Sequence, residues 1–312
     1  MLKTISKIDK DLSVVIVNWN TKKLLENCLI SIFKFTKNLS FEVIVVDNNS
    51  HDASSQMVAK KFPQVKLIKN QENLGYAKAN NQGIRLAKGK YILLLNSDTY
   101  LVENSFKKLA NLAGSLKNLG ALGPLLLNPD KSIQQSVGFF PHLPQIIWWM
   151  SFIDDLPGGT FLKPYHVDHD SFYQKDQQAD WLTGAAFFIP RQAVEKVGTL
   201  DEKIFMYGED VDWCFRAKKA GFNIYFSPIT KIIHIGRGST SQISKNAILG
   251  EYRGILYFYR KHKGKMSLQL LHLALKIGAL ARICIFGALG IIFRNTARKE
   301  TAKFYVEAFK IS

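Results

Sequence analysis

The chain has few of the features that would assign several functions quickly. Its three cysteines, Cys28, Cys214 and Cys284, lie too far apart for a metal ribbon or a disulfide framework. They read as small buried hydrophobes of a protein kept in a reducing compartment. The turn after the first strand-like run, Asn18-Trp-Asn20-Thr21, contains no glycine, which excludes the glycine-rich dinucleotide turn. No Gly-x-x-x-x-Gly-Lys-Ser/Thr loop occurs. The same lack of a glycine-rich basic loop argues against a nucleotidyltransferase. Met1 to Lys10 hold no apolar h-region, so no secretory signal is expected. The longest apolar run of the C-terminal tail, Ile283–Phe293, is 11 residues, short of the ~20 that a membrane span needs.

What is present describes a globular protein. Hydrophobic residues make up 47% of 312 and charged residues 21%, enough for one large domain or a domain with an appendage. The net charge is +17, and it is unevenly placed. From residue 251 onward there are 12 Lys and Arg against 3 acids, and before it 30 against 22. A basic tail suits nucleic acid or an anionic membrane. Here the basic excess accompanies Leu, Ile and Phe rather than an aromatic-basic platform, so a membrane surface is expected and nucleic acid is not. Leu268 to Phe293 is mostly apolar but broken by His272, Lys276 and Arg282. That pattern predicts a helix lying at a membrane interface, with a core helix as the structural alternative.

Along the chain, buried-strand runs alternate with helices. Leu12–Val17, Phe41–Val46, Val65–Ile68 and Tyr91–Leu95 read as strands, with helices over about 24–35, 53–61 and 76–87 between them. This alternation predicts a parallel, doubly wound sheet with right-handed crossovers. Three strands end in polar clusters, Asn18-Trp-Asn20, Asp47-Asn-Asn-Ser50 and Asn96-Ser-Asp98, which should converge at one sheet edge, where open α/β sheets place ligands. Each such residue also has an ordinary role in a turn or cap.

The second half begins near Gly120 with a strand, Ala121–Leu127. Residues 138–180 show no steady period and read as a long irregular segment, with His166, Asp168, His169 and Asp170 as a solvated loop rather than a metal cluster. Asp180–Arg191 reads as a strand in which Trp181 could stack on a sugar or fill the core. Glu209, Asp210 and Asp212 open a helix ending at Gly221, where the helix dipole alone would favour acids; one of them could instead face a cleft as a base. His234 ends an apolar strand, either as a core residue or facing a metal or diphosphate ahead of Gly236-Arg-Gly-Ser-Thr240.

Taken together, Val-Val-Ile-Val-Asn-Trp-Asn20, Val-Val-Asp47-Asn-Asn-Ser50, Asn73-Leu-Gly-Tyr-Ala-Lys-Ala-Asn-Asn81, Leu-Asn-Ser-Asp98-Thr, Leu-Thr-Gly184-Ala and Gly-Glu209-Asp210-Val-Asp-Trp resemble the family 2 glycosyltransferases of the GT-A fold, in the rhamnosyltransferase-like branch. The resemblance covers about residues 11–240. It implies a catalytic domain over 1–250, with a nucleotide-sugar half (about 11–100) and an acceptor half (about 120–245), and a helical, membrane-associated tail over 251–312. It implies inverting transfer from a dTDP- or UDP-sugar to a saccharide, or lipid-linked saccharide, at the cytoplasmic face of a membrane. Asp210 would be the base. Val17, Asn18, Asn20, Asp47, Asn48, Asn73, Gly75, Asn80, Ser97 and Asp98 would bind the nucleotide-sugar. Trp181, Gly184 and Glu209 would bind acceptor, and Asp98 with His234 would hold Mg2+ or Mn2+. The chain departs from the family's Asp-x-Asp pattern, because Asn96 stands at the first acid. Rhamnose is the expected sugar, with glucose, galactose or N-acetylglucosamine as alternatives. A non-enzymatic membrane-surface module is the competing class.

Overall fold

The computed structural model describes residues 8–153, 163–236 and 245–312. The glycine pair at 158–159 and the basic segment 237–240 lie outside the described residues. The first half follows the expected alternation: β1 (Lys10–Asn18), α1 (Lys22–Phe35), β2 (Phe41–Asp47), α2 (Ser54–Lys61), β3 (Lys66–Lys69), α3 (Tyr76–Leu86) and β4 (Gly89–Asn96). Side chains on both faces of β1 are buried, Val14, Val15 and Ile16 alike, which is why its sequence runs apolar without alternation. The order β3-β2-β1-β4 is parallel throughout. Its register sets Asn18 level with Asp47 and Val17 level with Asn96, so the polar strand ends share one edge.

The second half comprises β5 (Thr99–Leu101), α4 (Ser105–Ser115), β6 (Leu119–Leu127), β7 (Val137–Gly138), α5 (Leu143–Met150), β8 (Gln177–Ala179), β9 (Trp181–Leu182), β10 (Ala186–Pro190), α6 (Arg191–Val197), α7 (Glu209–Lys219), β11 (Asn223–His234), α8 (Lys245–His262), α9 (Lys265–Ile292) and α10 (Thr296–Ile311). The sheet continues β4-β10-β6-β11-β5, with β8 on β11. Here it departs from a purely parallel arrangement, because β10 runs antiparallel to β4 and β6. The chain is already at the strand-tip edge when β10 starts, with Ala185 O accepting the Asn96 N–H at 3.0 Å, so β10 runs back along β4. The segment expected to be irregular contains α5, with Pro144 in its first turn, and a 3-10 turn at Asp170–Gln174.

The described residues divide into two compact units. The first takes the residues up to Val137, then His169–Phe205, and those from Asp210 through β11; it contains the sheet. The second takes Gly138–Asp168, Met206–Glu209 and the helices from α8 onward.

α3 lies directly on β1. A Cβ at Gly83 would sit 2.3 Å from Val15 Cγ1 and 3.1 Å from Cγ2. Val15 is branched and buried in the central strand, so it has no room to give. Gly83→Ala gains up to ~1 kcal/mol of helix propensity but forces an overpacking cost of about 1–3 kcal/mol. The expected outcome is a lower melting temperature; an unchanged or raised one would show that α3 stands off the sheet.

Candidate active site

The edge is built around a buried amide. Asn18 donates from Nδ2 to Asp47 Oδ1 and to Ser50 Oγ, both at 3.0 Å, and its Oδ1 accepts from Thr21 Oγ1 at 2.7 Å. Thr21 Oγ1 lies 2.9 Å from Ser97 Oγ, so the bracket spans the ends of β1, β2 and β4. Asp47, 3% exposed, also accepts from the Ser50 N–H at 3.2 Å. Asn20 takes a positive φ of 54° and accepts from His51 N at 2.7 Å, closing the turn beside this bracket. Val17, half-buried, precedes it.

A second amide clamps the loop into α3. Asn48 donates to Asn73 Oδ1 at 3.0 Å and to Gly75 O at 3.2 Å, and its Oδ1 accepts from Asn70 Nδ2 at 2.9 Å. Gly75 has φ +80°, and a Cβ there would meet Phe205 O at 2.6 Å, so both the backbone and the neighbour require glycine. Asn80 bonds back to Tyr76 O at 3.0 Å inside α3. Asn18, Asn48 and Asn80, expected as donor ligands, therefore spend their side chains on neighbouring protein groups.

Asp98 follows β4, and β11 brings His234 beside it, with Nε2 3.2 Å from Asp98 Oδ1 and 3.3 Å from Asn96 Nδ2. His234 Nδ1 lies 2.5 Å from Gln134 Oε1. Gln134 Nε2 is oriented by two acceptors, Asn128 Oδ1 at 2.9 Å and His234 O at 3.2 Å. The Gln134 oxygen therefore faces the ring, and Nδ1 must carry the proton that it accepts. Nε2 then faces Asp98 Oδ1 at 3.2 Å, a spacing at which a proton or a cation can lie between the two atoms. This set fits a divalent cation. Among the described residues no three His, Cys, Asp or Glu side chains converge. The fit is thus to an ion completed by a substrate diphosphate, the usual habit of Mg2+, and not to a preformed cage.

Asp210, half-buried in the first turn of α7, accepts from the Gly184 N–H at 3.0 Å and from its neighbour's Val211 N–H at 2.8 Å. Gly184 O in turn accepts from Tyr76 Oη at 2.7 Å, which ties α3 to the segment holding Asp210. Glu209 is buried, as is Asp212, whose Oδ2 accepts from Arg216 Nε at 2.9 Å. Trp181 is only 6% exposed, so its ring fills the core and offers no open stacking face. Cys28 lies beneath the β4 tip, and burial pushes its thiol up to about 12, which removes it as a nucleophile.

Sequence reasoning brought Asn18, Asp47, Ser97, Asp98 and His234 to one edge, as the structure has them. It missed Gln134, Tyr76 and Asn81. Asn81 holds Leu200 through both N and O, at 3.0 and 2.8 Å, fixing the loop ahead of α7. Tyr76 and Asn81 stood inside a recognised motif, whereas Gln134 lies in a turn that has no pattern of its own.

The family described as Glycosyl transferase family 2 matches residues 13–153. The chain is 27% identical over 265 residues to an N-acetylglucosaminyl-diphospho-decaprenol L-rhamnosyltransferase of Mycobacterium tuberculosis, covering 81% of this chain and 85% of that one. It is 25% identical over 229 residues to the dTDP-rhamnosyl transferase RfbF of Shigella flexneri, covering 73% and 70%. Among solved structures, a mannosyltransferase from Pyrobaculum calidifontis in complex with GDP-Man and Mn2+ superposes with a TM-score of 0.55 at 16% identity, covering 98% of this chain and 90% of that one. At that identity the likeness is one of fold.

If Gln134 sets the His234 tautomer, Gln134→Leu should weaken Mn2+ binding about 10–100-fold, as loss of a metal ligand's hydrogen-bond partner commonly does. Mn2+ titration followed by electron paramagnetic resonance, with nucleoside diphosphate present, reads this directly. Unchanged affinity would remove His234 from the ion's shell.

Proposed function

We propose that the chain is a glycosyltransferase, carrying a family 2 domain over residues 13–153, that moves a sugar, rhamnose by preference, from a dTDP- or UDP-sugar to a lipid-linked saccharide, with inversion, at the cytoplasmic face of a membrane during cell-surface glycan synthesis. The observation that carries the reaction type is the pairing of Asp98–His234 at one strand tip with a fixed carboxylate, Asp210, at the start of a helix. The relatives named above support rhamnose and the lipid-linked acceptor.

A sugar hydroxyl is a poor nucleophile at neutral pH. A carboxylate within hydrogen-bond reach can take its proton as it attacks the anomeric carbon. Asp210 suits this task because the Gly184 and Val211 N–H groups fix both of its oxygens while leaving it partly open to solvent. A weak base held in place is effective here because positioning supplies much of the rate. Asp98, His234 and Asn96 would hold the divalent cation together with the donor diphosphate. When bound, Mg2+ or Mn2+ supplies Lewis-acid neutralisation of the departing diphosphate. Attack opposite that leaving group gives an inverted product. Asp47, buried and held by Asn18 and Ser50, would shape the edge on which the nucleoside sits.

Asp210→Asn keeps one N–H contact on the amide oxygen, sets the amide NH2 against the other N–H and removes the base, and transfer should fall about 10²–10⁴-fold while donor binding survives. A variant with near-normal turnover would end the assignment. Asp98→Ala should instead lose metal-dependent donor binding, read by calorimetry with and without Mn2+. Screening a panel of nucleotide-sugars for metal-dependent hydrolysis tests the donor; turnover of a UDP-hexose in preference to dTDP-rhamnose would overturn the rhamnose reading.

A further inference from the structure

α9 has two faces of different kinds. One is packed: Leu271, Leu275 and Ala279 are fully buried, and Arg282 is 4% exposed. The Arg282 guanidinium donates from Nη1 to Met150 O and from Nη2 to Trp149 O, the last carbonyls of α5, and its Cζ lies 4.3 Å from the centre of the Phe152 ring. It caps the C-terminal end of α5, where Trp149 O also accepts from the Phe152 N–H at 3.4 Å. The opposite face is apolar and open. Met266, Leu270, Leu273, Ile277 and Leu280 are between 47 and 75% exposed, and Cys284 is exposed on the next turn. They recur at alternating steps of four and three, the spacing of one continuous helical stripe.

The flanking charge identifies what covers this stripe. From Lys261 to Lys299 the chain carries eight Lys and Arg and no acid. Lys261 and Lys265 are exposed at one end of α9, and Arg294 and Lys299 beyond the other. A second copy meeting this face in either orientation would set like charges against each other. An anionic lipid surface matches both the apolar stripe and the basic ends, whose long side chains can reach the headgroups. α9 is long and apolar enough to cross a bilayer. To do so it would have to leave α5 and strip a buried guanidinium of its two carbonyls, a costly exposure of charge to hydrocarbon.

We propose that α9 lies in the plane of an anionic bilayer, with Met266, Leu270, Leu273, Ile277, Leu280 and Cys284 at the headgroup–acyl boundary and Arg282 locking the other face onto α5. The proposal deepens, and for its biological purpose rests on, the reading that the acceptor is lipid-linked.

The full chain carries its own reporter, since Cys28 and Cys214 are buried and Cys284 is exposed. A solvatochromic maleimide on Cys284 should shift to the blue and brighten with phosphatidylglycerol vesicles. Lipids carrying a nitroxide high on the acyl chain should quench it more than lipids carrying one near the bilayer centre. Binding to phosphatidylcholine vesicles should be weaker by about tenfold or more. Ile277→Glu with Leu280→Glu should lower vesicle affinity by at least about tenfold, while hydrolysis of donor in solution is unchanged. The wild-type depth profile stands without any variant. Strongest quenching from the bilayer centre would mean a span and overturn the proposal. So would undiminished vesicle binding by the double variant, or a wild-type dimer that ignores vesicles and falls to monomer in that variant. A wild-type chain that ignores vesicles yet hydrolyses donor would sink the docking alone; a wild-type chain that binds vesicles but hydrolyses no nucleotide-sugar would sink the transferase reading alone.

Discussion

One buried side chain, Asn18, holds the strand-tip edge of the sheet together. A parallel sheet brings strand ends level but leaves them as separate loops, and nothing in the ladder fixes the turns beyond it. Asn18 spends two donors and one acceptor on Asp47, Ser50 and Thr21, and Thr21 passes the link to Ser97 beside Asp98. Each such bond contributes only ~1 kcal/mol, but a partner left unsatisfied in the interior costs about 1–3 kcal/mol, more for a carboxylate. Breaking the bracket would therefore release Asp47 and Ser97 at once. The buried apolar run Val14–Ile16 of β1 in front of it supplies the rigid base that makes so small a contact effective.

How much was legible in the sequence follows from this division of labour. Strands buried on both faces must be apolar at every position, so β1, β2 and β4 could be read directly. Their polar ends could be read too, since an acid at such a strand tip has few other homes. Amides are different. Asn18, Asn48 and Asn80 have the same chemistry whether they bind a ligand or a neighbour, and sequence cannot separate the two; the fold commits all three to neighbours. Gln134 was invisible for a related reason. Its value lies in a contact a hundred residues away, with His234, and no local period records that. The antiparallel β10 was hidden because strand pattern gives burial but not direction, which here depends on the edge from which the chain enters.

The tail shows how an interruption can be the organising feature. Lys276 and Arg282 cut its apolar run to 11 residues when charges are counted as breaks. In the fold both belong to one 28-residue helix, α9, on different faces. Lys276 is exposed, its amine 5.9 Å from the centre of the Phe309 ring, whereas Arg282 turns inward to the carbonyl ends of α5. By length and composition α9 could cross a bilayer; the tertiary role of its buried charge is something that a linear count could not express.

Asn96 poses the remaining question, because the resemblance leads one to expect an acid there. Two carboxylates beside His234 would attract a divalent ion strongly, but they would also repel the two or more negative charges of a nucleoside diphosphate. With Asn96 in place, Asp98 is the one acid at this strand tip. The imidazole, its Nδ1 proton held by Gln134, adds a lone pair without adding negative charge. On the proposed function such a site holds the ion weakly by itself and meets the diphosphate with less repulsion. The missing charge is then supplied by the donor, so ion and donor each raise the other's affinity, and by linkage they do so equally. On that reading, Asn96 would make the metal site less a fixture of the protein than a property of the protein–donor complex. The arrangement around His234, where Nε2 faces Asp98 Oδ1 at 3.2 Å, suits a site completed only when that complex forms.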